Sequence, residues 1–109
     1  MAVVWKDFDT YQLSYVSDSG VSTYVNACEI NCFNAGTFVG RICFFKEGRV
    51  IPANTLNAGA PYVFYPLSQF KDIIDILRYE KPLGIYVDPD SHLGAIGTGQ
   101  EPVGEQEGH

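Results

Sequence analysis

The chain has 109 residues, of which 46% are hydrophobic and 18% are charged. This length fits a single domain, and the hydrophobic content argues against a disordered body. The formal net charge of −6 disfavours non-specific attraction to phosphate backbones and to anionic membranes. The final residues are acidic and show no apolar periodicity. We therefore expect one domain over 1–98 and a flexible acidic tail over 99–109.

Two alternating segments near the N-terminus predict a β-hairpin. Apolar and polar residues alternate over 11–16 and again over 21–27, and the turn-forming residues 17–20 lie between them. Two runs with a period of two residues around a short polar turn are typical of paired antiparallel strands. Residues 31–36 form a second polar segment, which we interpret as the next break in the sheet.

The segment 37–45 is the strongest strand candidate. Both of its faces are largely apolar, which indicates either a central strand that is covered on both sides or an interface strand. Residues 46–49 predict a tight turn with Gly48 at the left-handed position. The chain is then expected to return as a short strand over 49–51.

One amphipathic helix is predicted near the C-terminal end, over about 68–80. A loop at 53–59 and a short strand at 62–65 precede it. Ser68 is the candidate N-cap, and Pro82 is expected to end the helix. The predicted apolar face consists of Phe70, Ile73, Ile74 and Leu77, at the spacing of one helical face.

A final hairpin completes the predicted order of elements. Residues 83–87 predict a strand, 88–91 an Asx-type turn, and 92–98 a glycine-rich edge strand. The fold class is therefore α+β, with an antiparallel sheet of about five to seven strands and one helix packed on one face.

Cysteine use and the N-terminal sequence favour a cytoplasmic protein. There are three cysteines, and this small, odd number makes a disulfide framework unlikely. The first nine residues lack the basic start and apolar stretch of a signal peptide. Cys28 and Cys32 have a spacing that zinc sites sometimes use, with Cys43, His92 and His109 as possible further ligands. Buried free thiols are the favoured interpretation, so we expect neither a metal nor a cofactor.

His92 offers the only interior imidazole for a cysteine–histidine site. Such a site needs a thiolate beside a base that a third group orients. Asp88 and Asp90 could orient the ring, but both also belong to a turn that their own side chains explain. The sequence therefore favours a structural turn over a catalytic pair.

Aromatic residues are the one clear surplus, with one Trp, seven Tyr and seven Phe. On a sheet, such residues can stack on unpaired bases, pack across strands or form an oligomer interface. The apolar character of both faces of 37–45 favours the interface. The candidate binding face comprises Tyr11, Tyr15, Tyr24, Arg41 and Arg49.

The order of elements from Tyr11 to Glu80, strands followed by one helix, resembles the group that includes positive cofactor 4, the Whirly proteins and PurA. That resemblance implies a sheet-plus-helix domain that binds single-stranded nucleic acid and works as a dimer. It extends to element order only and assigns no functional residue. The segment 83–98 and the acidic net charge both depart from the group.

These observations predict a small non-catalytic interaction module that self-associates, as a homodimer, through an aromatic-rich sheet face. A single-stranded nucleic-acid-binding domain is the first alternative, disfavoured by the acidic charge. A small metal- or thiol-dependent enzyme is the second. No segment has the length and apolar character of a membrane helix.

Overall fold

The computed structural model describes residues 3–16 and 26–99. Within these ranges the chain forms eight strands and one helix. The strands are β1 (Val4–Phe8), β2 (Thr10–Tyr15), β3 (Asn26–Asn34), β4 (Thr37–Phe45), β5 (Thr55–Asn57), β6 (Ala60–Pro66), β7 (Leu83–Val87) and β8 (Gly94–Thr98). The helix, α1 (Phe70–Tyr79), continues from a 3-10 turn at Leu67–Gln69. The predicted α+β class is confirmed.

The strands divide between two sheets rather than forming one. The first has the order β1-β7-β8, and the second has the order β2-β3-β4-β6-β5. The chain passes from one sheet to the other at Asp9, between β1 and β2. There the Asp9 N–H donates to the Phe33 carbonyl oxygen at 2.9 Å, and the Asp9 carboxylate accepts a hydrogen bond from the Ala35 N–H at 3.3 Å. These contacts fix the bend, for which the sequence shows no local signal.

The hydrophobic core lies between the two sheets and under α1. We call the core-facing side of the five-stranded sheet its inner face and the opposite side its outer face. Gly40 lies on the inner face of β4, where a Cβ atom would lie 2.9 Å from Cγ2 of Ile85 on β7. Glycine therefore lets the two sheets approach closely. The largest fully buried core side chains are Ile30, Ile42, Phe44, Val63, Ile85 and Val87.

Two short hairpins correct the predicted loops. Ala35 and Gly36 have φ angles of 50° and 84°, the left-handed pair that a two-residue hairpin turn requires. Residues 31–34, predicted as a polar break, are therefore strand. In the same way Ala58 and Gly59, with φ of 52° and 83°, connect β5 to β6 within the predicted loop 53–59.

The turn after β4 is confirmed, but the strand expected to follow it is not. Gly48 has φ of +78°, and the Arg49 N–H donates to the Lys46 carbonyl oxygen at 3.2 Å. Residues 49–51 form no strand. The reason is that β6 already pairs with that edge of β4, in parallel, so the chain crosses over through 46–59 instead of folding straight back.

The helix packs its predicted face against the five-stranded sheet. Ile73, Ile74 and Leu77 are buried, and the Phe70 ring meets the edge of Phe44 at 5.3 Å between ring centroids. Ser68 is not the N-cap, because it lies inside the preceding 3-10 turn and no side chain caps either helix. The helix ends at Tyr79, before Pro82, as predicted.

The C-terminal hairpin agrees with prediction. β7 covers 83–87, the turn at 88–91 is closed by the Asp90 N–H donating to Oδ1 of Asp88 at 2.9 Å, and β8 is an edge strand. β1 was not predicted, although it forms the other edge of this sheet. Residues 100–109 of the predicted tail and residues 21–25 of the predicted strand 21–27 lie outside the described residues. Neither described range contains a helix long and apolar enough to cross a membrane.

Candidate interaction surfaces

The predicted binding residues do not form one surface. Tyr11 and Tyr15 lie on the inner face of the sheet at β2, opposite two buried cysteines of β3. Arg41 lies on the outer face at β4. Arg49 lies in the turn region after β4, and Tyr24 lies outside the described residues. The structure therefore separates the aromatic and basic parts of the predicted face, and its binding role stays a prediction.

Arg41 is the centre of an aromatic group on the outer face, which we call the Arg41 cluster (Asn31, Phe33, Phe38, Arg41 and Tyr62). The guanidinium carbon lies 5.2 Å from the centroid of the Tyr62 ring and 5.7 Å from that of Phe38. Nε of Arg41 donates to Oδ1 of Asn31 at 2.7 Å. Phe38 makes edge-to-face contacts with Phe33 and Tyr62. The cluster is thus a cation held between rings, at partly exposed positions.

The other end of the outer face is buried within the chain itself. Cys43 and Phe45 are both buried, and the Phe45 ring meets the edge of Phe64 at 5.9 Å. The apolar outer positions of β4 are therefore already covered at this end. Phe38, at 37% exposure, is the exposed large apolar residue of β4.

A second accessible apolar surface lies on β2. We call it the β2 edge (Tyr11, Leu13 and Tyr15). Leu13 is 41% exposed and Tyr15 is 61% exposed, although both lie on the inner face. This follows from the position of β2 at the end of the five-stranded sheet. β2 carries no charged residue and no proline.

One cavity brings together two of the predicted binding residues. Tyr15 and Arg49 both line an open cavity of about 450 Å³, together with Lys46, Glu47 and Leu67. Lys46 and Arg49 contribute positive charges and Glu47 a negative one, so the formal charge of the lining is positive. The cavity is adjacent to the end of the β2 edge, because Tyr15 belongs to both.

The three cysteines are free and buried. Burial raises the pKa of the Cys28 thiol to about 11 and the pKa values of Cys32 and Cys43 to about 12. Cys28 and Cys32 are four residues apart on one strand, which separates them by about 13 Å. Cys43 lies on the opposite face. Among the described residues no group of three or more His, Cys, Asp or Glu is placed to hold a metal ion.

The turn that contains His92 connects two parts of the structure. Nδ1 of His92 lies 3.1 Å from the Asn54 carbonyl oxygen, and the Asn54 side chain donates to the His92 carbonyl oxygen at 3.0 Å. The Asp90 N–H beside Asp88 lowers the pKa of that carboxyl below its usual value. The polar residues of the turn therefore have a structural role, because they close the turn and link it to the segment before β5.

Trp5 forms a further surface, on a strand that was not predicted from the sequence. Its ring stacks on Tyr86 at 5.7 Å between centroids, with 24° between the planes. Nε1 of Trp5 donates to Oδ1 of Asp7 at 2.6 Å, and Trp5 is 40% exposed. The indole lies over Gly84. Trp5 belongs to β1. Because β1 was not predicted, the position of Trp5 on this surface could not be predicted either.

No protein-family model, curated protein or solved structure matches the chain. The resemblance to the group with positive cofactor 4, the Whirly proteins and PurA therefore stays a similarity of layout. A shared layout does not by itself carry a function.

Proposed function

We propose that the protein is a small non-catalytic interaction module that self-associates through its five-stranded sheet. The observation that carries the proposal is the β2 edge, where Leu13 and Tyr15 are 41% and 61% exposed on an uncharged edge strand. An edge strand presents unpaired N–H and C=O groups, which are a template for pairing with another strand. Apolar side chains beside those groups add area that is removed from water when a partner binds.

The other edges carry features that oppose such pairing. β1 exposes Lys6 and Asp7, and charges on an edge discourage strand addition. β5 has only three residues. β8 includes Gly94 and Gly97, which weaken a strand. β2 is therefore the edge best suited to binding another chain among the described strands.

The state of the thiols supports a non-catalytic role in a reducing compartment. A nucleophilic cysteine needs a lowered pKa and partial exposure. Cys28, Cys32 and Cys43 have raised pKa values and are buried. Free thiols also fit the cytoplasmic location that we propose.

Sedimentation velocity of the full chain over a range of micromolar concentrations tests the proposal. We expect the wild-type mass to rise from 12.0 kDa toward twice that value, whereas Leu13→Lys stays monomeric because the partly buried contact would receive a charge. Val50→Lys is the matched control, since Val50 is 89% exposed and lies outside β2, in the segment after the β4 turn. A wild-type protein that stays monomeric at every concentration would refute self-association.

A second candidate function rests on the Arg41 cluster. Arg41 lies between the rings of Phe38 and Tyr62, an arrangement that can stack on a base and contact a phosphate. Titration of a labelled single-stranded oligonucleotide at about 50 mM salt, where phosphate contacts are strong, tests it. Binding that Phe38→Ala weakens and Val50→Ala does not would support this function; no binding at that salt concentration would eliminate it.

A further inference from the structure

The direction of the backbone groups on β2 defines how a partner strand can pair with it. In antiparallel pairing, successive residues direct their N–H and C=O groups alternately toward the paired strand and away from it. Val16 donates its N–H to the Ala27 carbonyl oxygen at 2.8 Å, so Val16 faces β3. By this alternation the backbone N–H and C=O groups of Ser14 and Gln12 also point toward β3. Those of the three β2 edge residues point outward, away from β3 and in the plane of the sheet.

We propose that two copies of the chain pair through β2 in antiparallel orientation, with Leu13 directly opposite Leu13 of the second copy on a two-fold axis. This inference rests on the proposed self-association and specifies its geometry. Tyr11 of each copy then lies opposite Tyr15 of the other. Every outward N–H and C=O of the β2 edge has a partner in this register, and the three side chains of each copy form one continuous apolar row.

Other registers satisfy fewer groups. A shift by one residue sets outward backbone groups against inward ones, so the hydrogen bonds cannot form. A shift by two residues places either Tyr15 opposite position 9 or Tyr11 opposite position 17, beyond the ends of β2. The register centred on Leu13 is the one that uses the whole strand.

The carboxylate at the start of β2 lies far from its counterpart when two copies pair in this register. Asp9 is the acidic residue next to the start of β2, and it lies four residues from Leu13. In the antiparallel pair the two Asp9 residues are therefore at opposite ends, about 26 Å apart along the strands. That separation is well beyond the screening length of about 8 Å at physiological salt, so the two Asp9 carboxylates do not repel each other appreciably in this pair.

Pairing in this way joins two five-stranded sheets into one continuous sheet. A two-fold axis perpendicular to a sheet keeps corresponding faces on the same side. Both α1 helices then lie on one side, and both Arg41 clusters lie on the other. Any ligand of the Arg41 cluster would meet two copies of it on one surface.

Disulfide crosslinking of Leu13→Cys tests the register directly. Residues that share a hydrogen-bonded antiparallel pair have Cα atoms about 5.5 Å apart, which is within the range of a disulfide. Thr10→Cys is the matched control on the same strand, because the two Thr10 positions would be about 20 Å apart. The natural thiols are buried and do not compete. Oxygen with a copper catalyst serves as the oxidant, and denaturing electrophoresis without reductant measures the crosslinked fraction.

We expect the Leu13→Cys dimer to form at least tenfold faster than the Thr10→Cys dimer. Equal crosslinking rates for the two variants would overturn the register. The register would also be wrong if the wild type sediments as a dimer but the Leu13→Cys variant does not crosslink; in that case self-association itself would still hold. A wild-type monomer at all concentrations would refute both proposals. A monomer whose Leu13 amide is nonetheless protected from hydrogen exchange would show that the same chain covers β2.

Discussion

At Gly84 of the three-stranded sheet, an added Cβ atom would clash with the ring of Trp5. A Cβ atom there would lie 2.0 Å from Cζ2 of Trp5, so the indole could not stay over the strand. We expect Gly84→Ala to lower the free energy of unfolding by about 1–3 kcal/mol, as overpacking does. Because Trp5 is the only tryptophan, its fluorescence in chemical denaturation reports both the displacement and the stability.

Gly97→Ala is the control for this substitution. Gly97 lies opposite Gly84 on β8, and its added Cβ would lie 3.9 Å from the same ring, which is ordinary van der Waals contact. The emission of Trp5 should be close to that of the wild type in this variant. Equal destabilisation by both substitutions would show that the contact with the indole does not decide the cost.

The thiols make stability depend on alkaline pH. An unfolded thiol ionises near its ordinary value of 9.0, whereas burial holds the folded pKa of Cys43 at about 12. Between these values the unfolded state binds fewer protons than the folded state, so stability falls as pH rises. Each such thiol contributes a slope of about 1.4 kcal/mol per pH unit.

Urea unfolding at several pH values between about 9.5 and 11, where the unfolded thiol is mostly ionised and the folded thiol is mostly protonated, measures that slope. Tyrosines and lysines also ionise in this range, so the informative quantity is the difference between wild type and Cys43→Ala. We expect the variant to lose stability less steeply by about 1.4 kcal/mol per pH unit. Parallel curves would contradict the buried, protonated state of Cys43.

At the scale of elements, Asn54 connects the β5–β6 hairpin to the turn between β7 and β8. Its Oδ1 accepts a hydrogen bond from the Phe64 N–H at 2.9 Å, and its Nδ2 donates to the His92 carbonyl oxygen. We expect Asn54→Ala to cost about 1–3 kcal/mol, because the partly buried Phe64 N–H loses its acceptor. Thermal unfolding followed by circular dichroism measures the loss.

Asn57→Ala serves as the matched control for that link. Asn57 is an exposed residue of the same hairpin, and exposed substitutions usually change stability by less than about 0.5 kcal/mol. Asn54→Asp keeps an acceptor for Phe64 and removes the donor to His92, so its cost should fall between the two. If Asn54→Ala and Asn57→Ala cost the same, Asn54 would not be a structural link.

Elements with strong local signals were predictable from the sequence. α1 has an apolar face at helical spacing, and β4 and β7 have dense apolar runs, so these three were identified close to their observed bounds. The hairpin turns at 35–36 and 58–59 were missed because Ala precedes Gly in both, whereas the sequence rule for left-handed pairs relies on Asn or Asp. The sequence favours Ser68 as a cap, but a 3-10 turn begins one residue earlier and places Ser68 inside the first helical turn.

The site was less predictable than the elements because it depends on which strands become neighbours. Tyr11 and Arg41 belong to opposite faces only because β2 and β4 pair with β3 in their observed registers. Within one strand, the sequence shows which residues lie on alternating sides. It does not show which residues of two different strands share a face when a bulge interrupts their pairing. β3 contains two such irregularities in its pairing with β4.

At the scale of the whole molecule, the two-sheet arrangement arises from contacts between distant parts of the chain. β1, at one end of the described chain, pairs with β7, near the other end, and β4 pairs in parallel with β6 across the crossover. Local periodicity contains no information about such partners. The result is a core enclosed by two sheets and a helix, with the β2 edge and the Arg41 cluster among the accessible surfaces of the larger sheet.

Self-association through β2 should appear in the stability of the whole molecule. Because a dimer dissociates as it unfolds, its melting temperature rises with protein concentration. Once the dimer predominates, a tenfold increase in protein concentration adds about 1.4 kcal/mol of stability per dimer, which corresponds to a rise in melting temperature of about 2–4 °C for chains of this size.

Calorimetry of the wild type, Leu13→Lys and Val50→Lys at two concentrations measures this change in melting temperature. We expect the rise in the wild type and Val50→Lys and a constant value in Leu13→Lys, because a charge on the two-fold axis prevents pairing without disturbing a core to which Leu13 does not belong. A wild-type melting temperature that stays constant over this range would contradict self-association.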